Sequence, residues 1–298
     1  MRELEFQQQA AVGQKAIMTP IETRPIAGAL GAEVHGVDLS ETLERGAGAS
    51  LREAFLTHKV LFFRGQTLTP QAHLCAAEVF GKPDLYPFLQ GLPEAPEVIE
   101  IVKTETDTVN FGGGWHSDTA YLERPALGTM LHALEVPAVG GDTLFANTEL
   151  AYAALSAGLQ RSLEGLVGIN SSEASYQGGR AAGIARIAGM SGAYVPEAQT
   201  YEAEHPIVRT HPDTGAKCLY VSRAHTVRFK GMTVEESRPL IEQLSAHITR
   251  PEFTCRFRWS DGAVAIWDNR TTQHFALNDY HGYRRHMRRV TLKGDRPF

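Results

Sequence analysis

Apolar and polar positions change rhythm several times along this chain, and each rhythm predicts a different element. Beyond Ile21, glycines alternate with apolar residues through IAGALGAEVHGVDL, which predicts short strands joined by tight turns. LREAFLTHKV (51–60) carries apolar residues at helical spacing and runs into an apolar strand, VLFF (60–63). TPQAHLCAAEVFG (69–81) opens on Thr-Pro and closes on Gly81, a start and a stop signal for a helix. GTMLHALEVP (128–137) predicts a strand and ANTELAYAALS (146–156) a helix. The C-terminal third returns to strands, HPIVRTHP, KCLYVS, FTCRFRW, VAIWDN and RRVTLKG, around one helix, TVEESRPLIEQLSAHI (233–248).

Short strands with a few helices and no βαβ alternation predict a mainly β fold with flanking helices. An antiparallel barrel or jelly roll fits better than a Rossmann sheet. No repeat or low-complexity linker divides the chain, so residues 19–298 are expected as a single domain behind a flexible tail, 1–18. The stretch 166–194 is rich in Gly, Ala and Ser with weak periodicity, which predicts a lid or binding loop around 171–193, a disordered linker being the alternative.

Composition narrows the function classes. The chain of 298 residues is 43% hydrophobic and 21% charged, ordinary for a globular protein, and its net charge of −5 argues against a nucleic-acid partner. Cys75, Cys218 and Cys255 are odd in number and widely spaced, neither a disulfide framework nor a zinc ribbon, which suits a reducing compartment. No signal-peptide pattern and no stretch of membrane-spanning length is seen, so a cytoplasmic protein with no membrane partner is expected.

Twelve histidines are present, and two begin a His-x-Asp: His116-Ser117-Asp118 and His211-Pro212-Asp213. On a strand, residues at i and i+2 face the same way, so such a pair can grip one ion. The second pair lies in HPDTG, a turn signature with Pro212 and Gly215, and Asp213 is read as a turn former. The first lies in GGGWHSDTAY, where the aromatic, Thr and Tyr neighbours predict a strand. Its preceding glycines allow a close backbone approach or a sharp turn. A further histidine would complete a two-His-one-carboxylate triad, which leaves coordination positions open and suits non-haem Fe(II). His274, after the apolar strand AVAIW, is the first candidate, with His132, His205 and His225 as competitors.

YRRHMRRVTLKG (283–294) packs four arginines into six residues. A solvated basic strip is one reading. Strand alternation puts Arg285, Met287, Arg289 and Thr291 on one face and Arg284, His286 and Arg288 on the other. Two arginines facing inward with Met287 would need two anionic ligands to offset their desolvation, and the guanidinium fork matches carboxylates and sulfonates.

With these residues assembled, the sequence resembles the taurine dioxygenase (TauD/TfdA) family over nearly its whole length. The resemblance runs through PIAGALGAEVHGVDLSE, WHSD, PAVGGDTLFAN, HPIVRTHPDTGAKCLYV and AIWDNRTTQHFALNDYHGYRRHMRRVTLKGDRPF. It implies a double-stranded β-helix (jelly roll) and a homo-oligomer that depends on Fe(II), 2-oxoglutarate and O2. The metal triad then falls on His116, Asp118 and His274, the 2-oxoglutarate site on Thr143 and Arg285, and the substrate-anion arginine on Arg289. Around the substrate the chain departs from taurine enzymes, with Tyr86 in place of a His, Gly112 near an Asn position and His225 near a Phe position. The missing side chain at Gly112 would leave room for a bulkier acid than taurine. The implied reaction is hydroxylation of a small anionic substrate of sulfonate, alkyl sulfate or aryloxyalkanoate type. Succinate and CO2 are released, and a C–S or C–O bond is cleaved where the hydroxylated carbon bears the heteroatom. A zinc hydrolase on the same triad and a non-catalytic metal-bearing sensor of small acids are the competing readings.

Overall fold

The structure is a computed structural model that describes residues 20–174, 179–193 and 200–298; the tail expected at 1–18 lies outside the described residues. Two short strands, β1 (Glu22–Pro25) and β2 (Ala32–His35), open the fold as the Gly/apolar alternation predicts. Helix α1 (Arg45–His58) starts earlier than its apolar core suggests and ends at Lys59 in the left-handed conformation, turning into β3 (Val60–Phe63). Helix α2 (Pro70–Glu78) is capped by the Thr69 side chain, which accepts from the Ala72 N–H. β4 (Pro83–Asp84), β5 (Val98–Lys103), β6 (Gly128–Glu135) and β7 (Thr143–Asn147) follow, then the short helices α3 (Thr148–Ala153) and α4 (Ala157–Leu163). Asn147 ends β7 and caps α3, so the expected 146–156 helix holds a strand end, α3 and the turn to Ser156, which caps α4.

The segment read as irregular begins with a regular strand, β8 (Val167–Ser171), which corrects the expected boundary. Pairing explains the difference: β8 lies between β9 (Glu202–Pro206) and β12 (Thr226–Phe229), and those partners are remote in sequence. Helix α5 (Gly179–Ala185) and a 3-10 turn (Ala188–Ala193) follow, whereas residues 175–178 of the expected lid lie outside the described residues. Strands β10 (Val208–Thr210) and β11 (Lys217–Leu219) form a hairpin across the HPDTG turn, before β12. Helix α6 (Val234–Ile248) carries a capping box between Thr233 and Glu236. The chain ends with β13 (Thr254–Phe257), β14 (Val264–Asp268), β15 (Thr272–Ala276) and β16 (Arg285–Leu292).

The major sheet runs β1-β2-β3-β14-β6-β16-β4, with β5 also paired to β16; its one parallel pair is β2–β3. A second sheet, β13-β7-β15, faces it. Phe62 of the major sheet stacks on Phe257 of the second at 4.0 Å and meets Phe145 edge-on at 5.7 Å. This is a jelly roll, with a core between the sheets and a second apolar layer where α1 and α2 cover the outer face. Inward residues of the major sheet therefore face inward residues of β7 and β15, and the site is built there. No helix among the described residues is long and apolar enough to cross a membrane.

Candidate active site

His116 does not lie on a strand as expected. It forms an isolated bridge with His274, in which each backbone N–H donates to the other's carbonyl at 3.1 and 2.8 Å, and the chain then turns through Asp118. No further bridge to β15 follows among the described residues, and the chain enters a turn over 118–121 in which Thr119 has a positive φ of 52°. The two histidines come together through that cross-strand bridge, and the turn swings Asp118 back towards them. Gly112 has a φ of +82°, and a Cβ there would lie 3.4 Å from His116 Cε1. The positive φ and the closeness of the His116 ring both favour glycine at this position, which lines the cavity of the three ligand residues.

Asp118 Oδ1 sits 3.6 Å from His116 Nε2 and 3.8 Å from His274 Nε2, and one ligand atom from each residue falls within 4.8 Å of the others. All three side chains are buried. His116 Nδ1 lies 2.6 Å from the Gly114 carbonyl; a proton there leaves the Nε2 lone pair facing the cluster. Asp118 is held from behind. Thr129 Oγ1 donates to Oδ2 at 2.7 Å, Asn269 Oδ1 accepts from the Asp118 N–H, and Asn269 Nδ2 donates to Thr129 Oγ1. Trp267 Nε1 donates to Asn269 and fixes that amide in turn.

Burial alone would raise the Asp118 carboxyl. Arg289, whose Nη2 lies 2.8 Å from Oδ1, followed by His274 and His116, overrides it and holds the group well below the usual carboxylate range. His274 is held neutral chiefly by burial and then by His116. Ionised carboxylate and neutral imidazoles are the forms that ligate a divalent metal, and this donor set of two nitrogens and one oxygen fits Fe(II).

β16 follows the expected alternation: Arg285, Met287, Arg289 and Thr291 are buried, while Arg288 and His286 meet Glu100 on the outer face. Burial lowers the Arg285 guanidinium. The Nε groups of Arg285 and Arg289 have no hydrogen-bond partner among the described residues. Such buried donors call for anions. Thr143 stands opposite on β7, where its hydroxyl accepts from Trp259 Nε1 at 2.9 Å, and the Arg285 guanidinium lies 5.7 Å from the Trp259 ring. Thr143, Arg285, Arg289, Gly112 and the three ligand residues line one cavity. A roomier cavity of about 440 Å³ lies behind Trp115 and Phe275 and holds none of the ligand atoms, so the chemistry belongs to the smaller one.

Tyr86 reaches the same region: the Arg289 guanidinium lies 5.1 Å from its ring centre and 5.7 Å from that of Phe111. His225 is buried, with its ring 5.8 Å from His116 and 5.2 Å from Tyr121. The other histidines are elsewhere. His132 packs near His73, His205 meets the Leu122 carbonyl, and His211 sits 3.0 Å from Asp268. Asp213, in its turn, ion-pairs with Arg270 and Arg52, so the second His-x-Asp secures the fold.

The family model for "Taurine catabolism dioxygenase TauD, TfdA family" matches residues 22–291. The chain belongs to this family. Among curated members, it is similar to an alpha-ketoglutarate-dependent sulfate ester dioxygenase of Pseudomonas putida, 36% identical over 280 residues, covering 93% of this chain and 91% of the relative. An alkylsulfatase of Acinetobacter baylyi is 36% identical over 278 residues, covering 92% and 86%. A solved taurine dioxygenase from Burkholderia xenovorans superposes with a TM-score of 0.78 at 36% identity, covering 94% of this chain and 93% of that one. As a TauD/TfdA member the chain is a 2-oxoglutarate-dependent non-haem iron dioxygenase, with Fe(II), 2-oxoglutarate and O2 as its cofactors.

Several residues of this TauD/TfdA site escape sequence reasoning. Asn269 stands in the same motif as His274, Trp259 ends the strand FTCRFRW, and Thr129 looks like an ordinary strand residue. Arg180 is hidden in the Gly/Ala-rich stretch, yet it is buried against Tyr86, Phe111 and Tyr121. Its one local signal is a charge set among small residues, QGGRAAGIA (177–185), and Arg186 shares that signal.

Proposed function

We propose that His116, Asp118 and His274 hold Fe(II), that Thr143 and Arg285 bind the far carboxylate of 2-oxoglutarate, and that Arg289 anchors an organic sulfate ester or sulfonate. Tyr86, His225 and the Gly112 backbone form the rest of the substrate wall. The observation that carries this reading is one cavity holding three convergent ligand atoms and two buried arginines with unpartnered Nε donors. With Fe(II) and 2-oxoglutarate bound, O2 hydroxylates the substrate as 2-oxoglutarate is converted to succinate and CO2. The protein's own part is positioning and exclusion of water. Thr129 and Asn269 fix the Asp118 carboxylate, Gly114 fixes the His116 tautomer, and the rings of Tyr86, Phe111 and Tyr121 keep the substrate side dry. Hydroxylation of the carbon bearing the heteroatom gives an adduct that collapses to an aldehyde or ketone and the released anion. The sulfate-ester and alkylsulfate names of the relatives favour sulfate esters within this class.

Residues 19–298 work as one domain in this reading, as a cytoplasmic homo-oligomer, and helix α5, within the expected lid, covers the substrate. A zinc hydrolase would leave Arg285 and Thr143 without a ligand, and a sensor would bind acids without releasing succinate. The test is succinate formation by purified protein with Fe(II), ascorbate and 2-oxoglutarate against alkyl sulfates, sulfonates and aryloxyalkanoates. Succinate release is expected to rise with a sulfate ester or sulfonate. No stimulation across the panel rules the reading out.

A further inference from the structure

Helix α5 is too short to be stable alone, and it is held by what it buries. Ile184, with Ile187 and Met190 just beyond it, joins the core between the sheets. Asp107 accepts from the Ala188 and Gly189 N–H groups at 2.7 and 3.3 Å. At the start of the helix Arg180 turns inward and is 3% exposed. Its Nε donates to the Tyr86 hydroxyl at 2.6 Å, and its guanidinium carbon lies 5.0 Å from the Phe111 ring centre and 5.9 Å from that of Tyr86. These are the two rings that flank Arg289, at 5.7 and 5.1 Å. Two guanidinium groups on unrelated elements thus share one aromatic enclosure beside the iron ligands. Arg180 is also, after burial, the strongest influence keeping His225 neutral, which places its charge close to that wall.

We propose that Arg180 is a specificity-determining residue that, with Arg289, forms a two-guanidinium clamp selecting a tetrahedral sulfo group over a carboxylate. The inference rests on the sulfate-ester or sulfonate reading above and deepens it. A carboxylate has two coplanar oxygens, and a single bidentate arginine fork satisfies both. A sulfate ester or sulfonate carries three terminal oxygens in a pyramid, so it can accept from two forks approaching along different directions. Lysine cannot replace the second fork, because its ammonium is a point donor. Tyr86 is then a positioning residue, its hydroxyl fixing the azimuth of Arg180.

The test compares holoenzyme carrying Arg180→Gln or Arg180→Lys with the wild type. Two quantities are read: the KM for hexyl sulfate, and the inhibition constant of heptanoate against it. Losing a buried charge-assisted contact is expected to raise the KM about tenfold or more in both variants, while the heptanoate constant stays within about threefold. Tyr86→Phe is expected to shift the same ratio in the same direction by a smaller factor. A purely structural role would raise both constants together or neither, and either result overturns the assignment; Arg180→Lys, which keeps the charge and stem, carries the comparison if the glutamine variant does not fold. A wild-type enzyme that turns over neither sulfates nor sulfonates overturns the underlying substrate reading instead. Wild-type turnover with a ratio unmoved by both substitutions overturns the clamp alone.

Discussion

His116 and His274 are tied to each other by two backbone hydrogen bonds, whereas Tyr86, Arg180 and His225, on a loop, a short helix and a turn, touch Arg289, Phe111 and His116 at the edge of that site. On the iron side His116 and Asp118 rest on hydrogen bonds, while the His274 ring packs 4.6 Å from the Trp267 ring and its Nδ1 has no hydrogen-bond partner among the described residues. The Asp118 carboxylate rests on Thr129, Thr129 on Asn269, and Asn269 on Trp267, all of them buried. On the substrate side the supports are rings and long side chains, with Arg180 bracing Tyr86. The contrast teaches that a ligand set needs fixed atoms, because misplacement costs metal affinity. A substrate wall can instead be rebuilt on loops while the chemistry stays the same.

The comparison breaks most sharply at the ligands. Asp118→Ala is expected to abolish iron binding and lower turnover by more than about a thousandfold, about 4 kcal/mol of barrier; metal analysis with succinate release checks both, and an active, iron-loaded variant sinks the triad. Next come the two arginines. Arg285→Gln should raise the KM for 2-oxoglutarate by about ten- to a hundredfold, and Arg289→Gln the KM for the organic anion by a similar factor. Steady-state titration of each substrate separates them, and the reverse pattern means the two roles are exchanged. Removing a support should act more gently: Thr129→Val is expected to weaken iron about tenfold with the 2-oxoglutarate KM little changed, measured by competition with a chelator.

The smallest effect concerns the fold under acid. Burial lowers His205 to about 4 and His73 to about 3, against 6.5 for an exposed histidine. Below pH 6.5 the unfolded chain takes up protons that the folded chain refuses, so this stability is complete above pH 6.5 and is lost as the pH falls towards 4. Thermal melts should show Tm dropping across that window, and His205→Gln should flatten the slope. An unchanged slope would mean that other groups control the acid transition.

Legibility followed the range of the forces involved. Helix α2 with its Thr69 cap, helix α6 with its Thr233 capping box and the apolar strand β3 were readable because their causes lie within a few residues. So was the inward face of β16, since alternation on a strand is a local rule. β8 was not readable, because its partners β9 and β12 are remote, and LVGINS (166–171) carries no alternation strong enough to announce a strand.

The same division runs through the site. By itself, the sequence determined that His116 and Asp118 stand two apart, that His274 follows an apolar strand, and that Arg285 and Arg289 share a face; local spacing and strand alternation sufficed. Tertiary structure alone decided that a bridge to His274 brings the two histidines together, that Thr129 and Asn269 hold the carboxylate, and that Arg180 enters the aromatic enclosure. Those contacts join residues far apart in the chain. They exist only because packing the two sheets and docking α5 recover enough buried apolar surface to offset ordering the segments that carry them.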